Sequence, residues 1–241
     1  MTQPPSITVA GAAAINGAPL FSNIRLEIPA GQWTSLLGSS GAGKSTLLRL
    51  IAGLDTGVDF AGTITASDGA PLAGRIAYMA QSDLLAPWLD VIGNVMLGAR
   101  LRGQTPDRSK AVDLISKVGL ASQIHQRPHT LSGGERQRAS LARTLMEDRP
   151  VVLLDEPFSA LDARTRAEMQ ELAGEMLSGR TVLLVTHEPG EAARLSHHAF
   201  LVSAAGLLAL DVPGSTPVRA VDDPLTMQAQ ARMFRQLREA R

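Results

Sequence analysis

The chain has 241 residues, enough for one large α/β domain or one domain with a sizeable insertion, and for a substantial core. Its 23 basic and 23 acidic side chains balance, which argues against a partner chosen by bulk charge, whether nucleic acid, an anionic membrane surface or an acidic protein. There is no cysteine, so disulfides and thiolate metal sites are excluded, and a reducing compartment fits. No apolar run approaches the roughly 18 to 20 residues that cross a bilayer, and the opening MTQPPSITVAG lacks the blocks of a signal peptide; a soluble, cytoplasmic chain is expected.

In chain order, short β-type runs come first: Ile7 to Val9, Ile24 to Ile28 and Trp33 to Leu37, separated by Gly, Pro and Asn, with GTITAS at 62 to 67 extending them. They predict an antiparallel β subdomain feeding the loop after Leu37. From about Asp90 to Leu145 the pattern is helical. Thr105-Pro106 reads as a helix start, Val112, Ile115 and Val118 as its apolar face, and Gly119 as its stop. Val151 to Leu154 and Thr181 to Val185 are apolar on both faces, as in the centre of a parallel sheet covered by helices, with a helix from about Ala163 to Leu177 between them. After residue 199 a small β meander is expected, then a terminal helix starting at Asp223-Pro224 with Leu225, Met233, Phe234 and Leu237 as its apolar face.

The loop after the third β run is Gly38-Ser39-Ser40-Gly41-Ala42-Gly43-Lys44-Ser45-Thr46, which fits G-x-x-x-x-G-K-[ST] between a strand and a helix. Glycines allow the tight turn, inward N–H groups and a helix N-terminus favour phosphate, Lys44 reaches the β- and γ-phosphates, and Ser45 is a Mg²⁺ ligand. A bare glycine-rich connection would not need the lysine and hydroxyl in register. Val151 to Glu156 then places Asp155 at the end of a buried strand to orient Mg²⁺ and Glu156 to polarise water. In Leu131-Ser132-Gly133-Gly134-Glu135-Arg136-Gln137-Arg138, Ser132 and Glu135 spell a capping box, yet the two glycines cost about 1 kcal/mol each relative to Ala in a first turn. That exposed N-terminus points to a second phosphate-binding element, one that serves another molecule's nucleotide.

Together these motifs resemble the nucleotide-binding subunit of an ATP-binding cassette (ABC) transporter. Gly38 to Thr46 is similar to that family's Walker A, Gln81 to its Q-loop glutamine, Leu131 to Gln137 to its signature, and Val151 to Glu156 to its Walker B; Ser159 to Asp162 is similar to the D-loop and His187 to the switch histidine. The likeness covers about residues 6 to 210. It implies an α/β P-loop NTPase of ABC type: a RecA-like parallel core with an N-terminal antiparallel β subdomain (1–89 and 146–210), an inserted helical subdomain (90–145) and a C-terminal helix (211–241). It implies ATP and Mg²⁺ as cofactors, Glu156, His187, Gln81 and Lys44 as catalytic residues, and Ser45, Gln81 and Asp155 at the metal. By the same likeness two copies, or a copy and a paralogue, sandwich ATP so that Ser132, Gly133, Gly134 and Asp162 of one meet the nucleotide on the other. His125, His129, His197 and His198 lack acidic or cysteine company at ligand spacing and read as surface or structural.

One departure stands out: the segment aligned with the family's adenine-stacking aromatic, Ala12 to Gly17, has none, leaving Ile15 for the base. Stacking on an aromatic is worth about 1 to 3 kcal/mol, so weak binding to the monomer and loose purine choice are expected. Leu84, Leu85 and Trp88, after Gln81, are expected to meet a membrane permease, and packing within the helical subdomain explains them as well. Pro87-Trp88-Leu89 and the Arg127 to Arg138 stretch resemble bacterial importers of nitrate, sulfonates, taurine and thiamine pyrimidine precursors, which work with a separate substrate-binding protein. The chain is thus expected at the inner face of the cell membrane, with no nucleic acid partner. The alternatives are a soluble ABC ATPase, such as an iron–sulfur assembly type, and an exporter subunit.

Overall fold

A computed structural model describes residues 4–39, 41–203 and 206–239. Its elements run β1 (Ile7–Ile15), β2 (Ala18–Ile28), β3 (Trp33–Leu37), α1 (Lys44–Ile51), β4 (Asp59–Ala66) and β5 (Ile76–Met79). Four helices follow, α2 (Val91–Val95), α3 (Leu97–Leu101), α4 (Arg108–Lys117) and α5 (Gly133–Met146). The chain then forms β6 (Val151–Asp155), α6 (Ala163–Met176), β7 (Thr181–Val185), α7 (Pro189–Leu195), β8 (His198–Ser203), β9 (Gly206–Leu210) and α8 (Pro224–Glu239).

Two compact units share these elements. The first comprises the chain up to Ile76, Pro150–Asp155 and everything from Ser178 onward. In it β1 is the middle strand of an antiparallel sheet, pairing with β2 and β4 so that Ile7 faces both Ile28 and Ala66. A period of two sends Ile7, Val9, Leu26 and Ile28 inward. A second sheet sets β6, β7, β3 and β8 in parallel order, with β9 antiparallel at the end. Every residue of β3, β6 and β7 is buried, as befits central parallel strands: the apolar runs of β6 and β7 announce it, while β3 also buries Thr34 and Ser35. Helix α8 packs on α7, with Ala192, Ala193, Ala229 and Met233 in one apolar cluster.

The second unit comprises Ala77–Arg149 and Glu156–Leu177. Here α2 and α4 pack on α5 around Val91, Val95, Leu114, Ile115 and Leu141. These divisions fall elsewhere than the pattern-based breaks at 89/90 and 145/146, and α6 groups with the helical unit.

Three local expectations are corrected. Helix α4 is capped by Asp107, whose carboxylate accepts the Lys110 N–H at 3.0 Å, so Thr105 lies outside it. Its buried face is Ala111, Leu114, Ile115 and the following Val118, with Val112 41% exposed, because three- and four-residue spacing from Ala111 leaves Val112 to one side. The C-terminal helix starts at Pro224, and its inner face is Thr226, Ala229 and Met233; Leu225 and Phe234 face outward.

Candidate nucleotide site

The first unit carries the glycine-rich loop from Gly38 to Lys44. Strand β3 ends buried at Leu37, the chain loops, and α1 starts at Lys44 with no side-chain cap on its N-terminus, which leaves that end suited to an anion. Gly43 has φ 87°, and a Cβ there would lie 3.0 Å from Leu20, so only glycine fits. Lys44 is 6% exposed and its Nζ donates to the carbonyls of Gly38 and Ser39, both at 2.8 Å, which draws its charge along the loop. Ser39, Gly41, Ala42 and Thr46 complete the motif in chain order, and Ser40 lies outside the described residues.

Beside it, Ser45 Oγ donates to Asp155 Oδ1 at 3.0 Å, and Asp155, closing β6, is 2% exposed. A hydroxyl and a carboxylate in contact are the oxygen donors that Mg²⁺ takes together with phosphates and water, so this pair fits the ion. His187 follows β7. Its neighbour Thr186 donates its N–H to Leu36 O at 3.1 Å, two residues before the loop, and its hydroxyl to the buried Glu191 at 2.7 Å. The histidine itself is half exposed, with Nε2 3.8 Å from Glu188 Oε1. Ile15 sits partly exposed at the end of β1. Leu20, which sequence patterning passed over, leans on the loop at Gly43.

The second unit holds Gln81, Glu156 and the Leu131 to Arg138 stretch. Gln81 Nε2 donates to Glu156 Oε2 at 3.2 Å, so two residues 75 apart in sequence meet. Glu156 takes a left-handed φ of 48°, an unfavourable conformation for glutamate of the sort that clusters at functional sites. Gln137 fixes the turn that follows. Its Nε2 donates to Glu156 O at 2.9 Å and Ser159 Oγ at 3.2 Å, while its Oε1 accepts the Ala160 N–H at 2.8 Å. It lies inside the quoted signature, yet its job as a clamp depends on a turn 19 residues away.

At the start of α5 the capping box forms: Glu135 N donates to Ser132 Oγ at 3.3 Å, and Ser132 N to Glu135 Oε2 at 2.7 Å. The Ser132 N–H bond holds the Glu135 carboxyl below its usual range. Gly133 is open around its Cα, whereas a Cβ on Gly134 would come 3.3 Å from Ala160 O. Asp162 is the N-cap of α6, accepting N–H groups of Arg164 and Thr165 at 3.1 Å each, a role that needs no nucleotide.

The expected contact trio splits. Leu84 and Trp88 are 65% and 71% exposed, but Leu85 is 8% exposed and belongs to the core of its unit. Three of these four histidines have structural partners: His125 lies 3.2 Å from Asp90, His197 Nδ1 accepts the Trp33 N–H at 3.0 Å, and His198 bonds Gln32 at 2.8 Å. Among the described residues no three His, Asp or Glu side chains gather as a metal site, and no helix is long and apolar enough to cross a membrane.

The family profile described as ABC transporter matches residues 21–159. The chain belongs to the ABC transporter family. It is therefore an ATP-binding ATPase with the family's α/β fold. It is 48% identical over 78% of its length to an uncharacterized ABC transporter ATP-binding protein of Haemophilus influenzae, covering 78% of that protein. It is 42% identical over 93% of its length to the aliphatic sulfonates import ATP-binding protein SsuB 1 of Streptomyces avermitilis, covering 83% of it, and 39% identical over 93% to SsuB of Delftia acidovorans, covering 90%. Among solved structures, an ATP-binding cassette seen as a dimer in a post-hydrolysis state with ADP and Pi superposes with a TM-score of 0.73 at 25% identity, covering 89% of this chain and 99% of that one.

Proposed function

We propose that this ABC ATPase is the hydrolytic subunit of an importer for small sulfonates, working as a dimer on a separate membrane permease at the inner face of the cell membrane. The observation that carries the catalytic part is the Ser45–Asp155 contact at 3.0 Å beside Lys44 at the open end of α1. The sulfonate assignment draws on the aliphatic sulfonate importers among its relatives.

In this reading Lys44 leaves the Gly38 and Ser39 carbonyls for the β- and γ-phosphates, and the loop N–H groups take the remaining phosphate oxygens. Ser45 and Asp155 would hold Mg²⁺, with Gln81 contributing to its water shell, and the chemistry supplied there would be neutralisation of phosphate charge. Glu156 accepts a proton from the attacking water, oriented by the Gln81 amide. His187 contacts the γ-phosphate. Ser132, Gly133 and Gly134 close on that phosphate from the second copy, and the Asp162 turn of that copy lies at the same junction. Ile15 and Leu20 give the base an aliphatic seat in place of an aromatic one. Leu84 and Trp88 meet the permease, and Leu85 supports them from below.

Tagging the chain in its native cell, solubilising membranes in mild detergent and identifying what co-purifies tests this. A multi-span permease, with uptake of labelled ethanesulfonate that disappears in Lys44→Ala, is the expected result. Co-purification with soluble proteins alone would leave a dimeric ATPase without a transport role, as in the assembly-type alternative.

A further inference from the structure

The loop carrying Leu84 and Trp88 is held in shape by polar groups of its own unit, and most of them come from α5. Arg143, in the last turn of that helix, donates Nη2 to Asp83 O at 2.6 Å and Nη1 to Leu84 O at 2.7 Å, with a further bond to Ser140 Oγ at 3.2 Å. Two turns earlier, Arg136 Nε bonds the Asp83 carboxylate at 3.1 Å, while the other oxygen of that carboxylate accepts the Leu85 N–H at 3.1 Å. From the far side the fully buried Asn94 accepts the Ala86 N–H at 2.7 Å and donates to Ala86 O, Leu89 O and Asp90 O.

What these bonds hold is an unfavourable backbone. Leu84 has φ 46°, a conformation leucine seldom adopts, and at that kink Leu84 turns outward while Leu85 turns into the core. A planar guanidinium spans two successive carbonyls with separate N–H groups, which a lysine ammonium does less well. Burial works against the Arg143 charge, and the Asp83 and Glu147 carboxylates offset part of that effect.

We propose that Arg143 is a positioning residue for coupling: clasping Asp83 and Leu84 from the signature helix, it selects Leu84 over Leu85 as the presented side chain and ties that helix to the permease contact. The inference rests on the reading that this loop meets a permease. It concerns neither nucleotide nor water, so hydrolysis by the isolated chain is expected to survive its loss.

The test compares Arg143→Met and Arg143→Lys with wild type in the full chain. Hydrogen exchange of a peptide covering 82–90 should speed up at least about tenfold in Arg143→Met, since two charge-assisted bonds are lost, and by less in Arg143→Lys. ATP affinity and basal hydrolysis should stay within about twofold, while ethanesulfonate uptake in cells falls at least about tenfold. Unchanged exchange in both variants, or unchanged uptake with a loosened loop, would overturn the proposal. If Arg143→Met does not fold, Arg143→Lys decides: exchange and uptake equal to wild type count against the clasp. Leu84→Asp separates the underlying reading: if it stays with membranes and transports normally, the loop is not the permease contact, whatever Arg143 does to its exchange.

Discussion

Asp155 and Glu156 are consecutive carboxylates held by opposite means. Asp155 ends a strand buried at every position, is 2% exposed, and bonds the first turn of α1 through Ser45. Glu156 begins a turn, takes a left-handed φ of 48°, and is held by two glutamines, Gln81 on its side chain and Gln137 on its carbonyl. On the proposed reading Asp155 would hold a metal ion, for which a fixed position is an advantage, and Glu156 would be a base aimed at water by polar contacts. The two compact units divide the chain between these residues.

Substitution of each carboxylate breaks or sharpens this contrast. Glu156→Gln should lower hydrolysis by about 10² to 10⁴, the usual worth of a positioned base, while ATP binding stays within about threefold and the closed dimer accumulates on size exclusion. Turnover equal to wild type would remove Glu156 from that role. Asp155→Asn should act earlier, weakening nucleotide binding about 10- to 100-fold in Mg²⁺ but little in EDTA, as loss of a charged partner predicts. A loss of the same size in EDTA would mean that Asp155 serves only to hold Ser45 and α1.

How much of this was legible in sequence follows from how local each cause is. The loop from Gly38 to Thr46 was readable as a motif because its glycines, lysine and hydroxyl fall within nine consecutive positions. The buried strands β6 and β7 were readable from four- and five-residue apolar runs. Leu84 against Leu85 was not: two adjacent leucines carry the same signal, and a guanidinium 59 residues away decides which one faces out. The start of α4 was misplaced because Thr105-Pro106 and Asp107 are competing caps two residues apart, and only the Asp107 to Lys110 bond settles them. Strand β5, four residues long and without alternation, gave no signal above the loop around it.

A smaller effect should come from the support of Glu156. Gln137→Ala leaves the Ala160 N–H and the Glu156 carbonyl without the amide that now pairs them, at a cost of about 1 to 3 kcal/mol to stability. Because the turn bears a left-handed residue, hydrolysis should fall more than ATP affinity. Gln137→Glu keeps the acceptor for Ala160 but removes the donor to Glu156 O and Ser159 Oγ, so it separates that half of the clamp from the other. Full activity in Gln137→Glu would show that Gln81 and the Ser159 hydroxyl hold Glu156 without it.

The unit that holds Asp155 has its own weak point, which pH exposes. Trp33 donates its N–H to His197 Nδ1 at 3.0 Å at the start of β3, so that nitrogen must keep its lone pair. Burial, with Arg219 and His198 adding positive charge nearby, pushes the His197 pKa below its ordinary 6.5. The unfolded chain then takes up a proton as pH falls past about 6.5 while the folded chain resists it. The contribution is therefore complete above that pH and is lost progressively as pH falls toward the lowered folded value. Thermal denaturation between pH 7.5 and 5 should show a slope that His197→Gln flattens, a difference of no more than a few degrees. Equal slopes in the two proteins would mean that the carboxylates, and not this histidine, set the acid side of the stability curve.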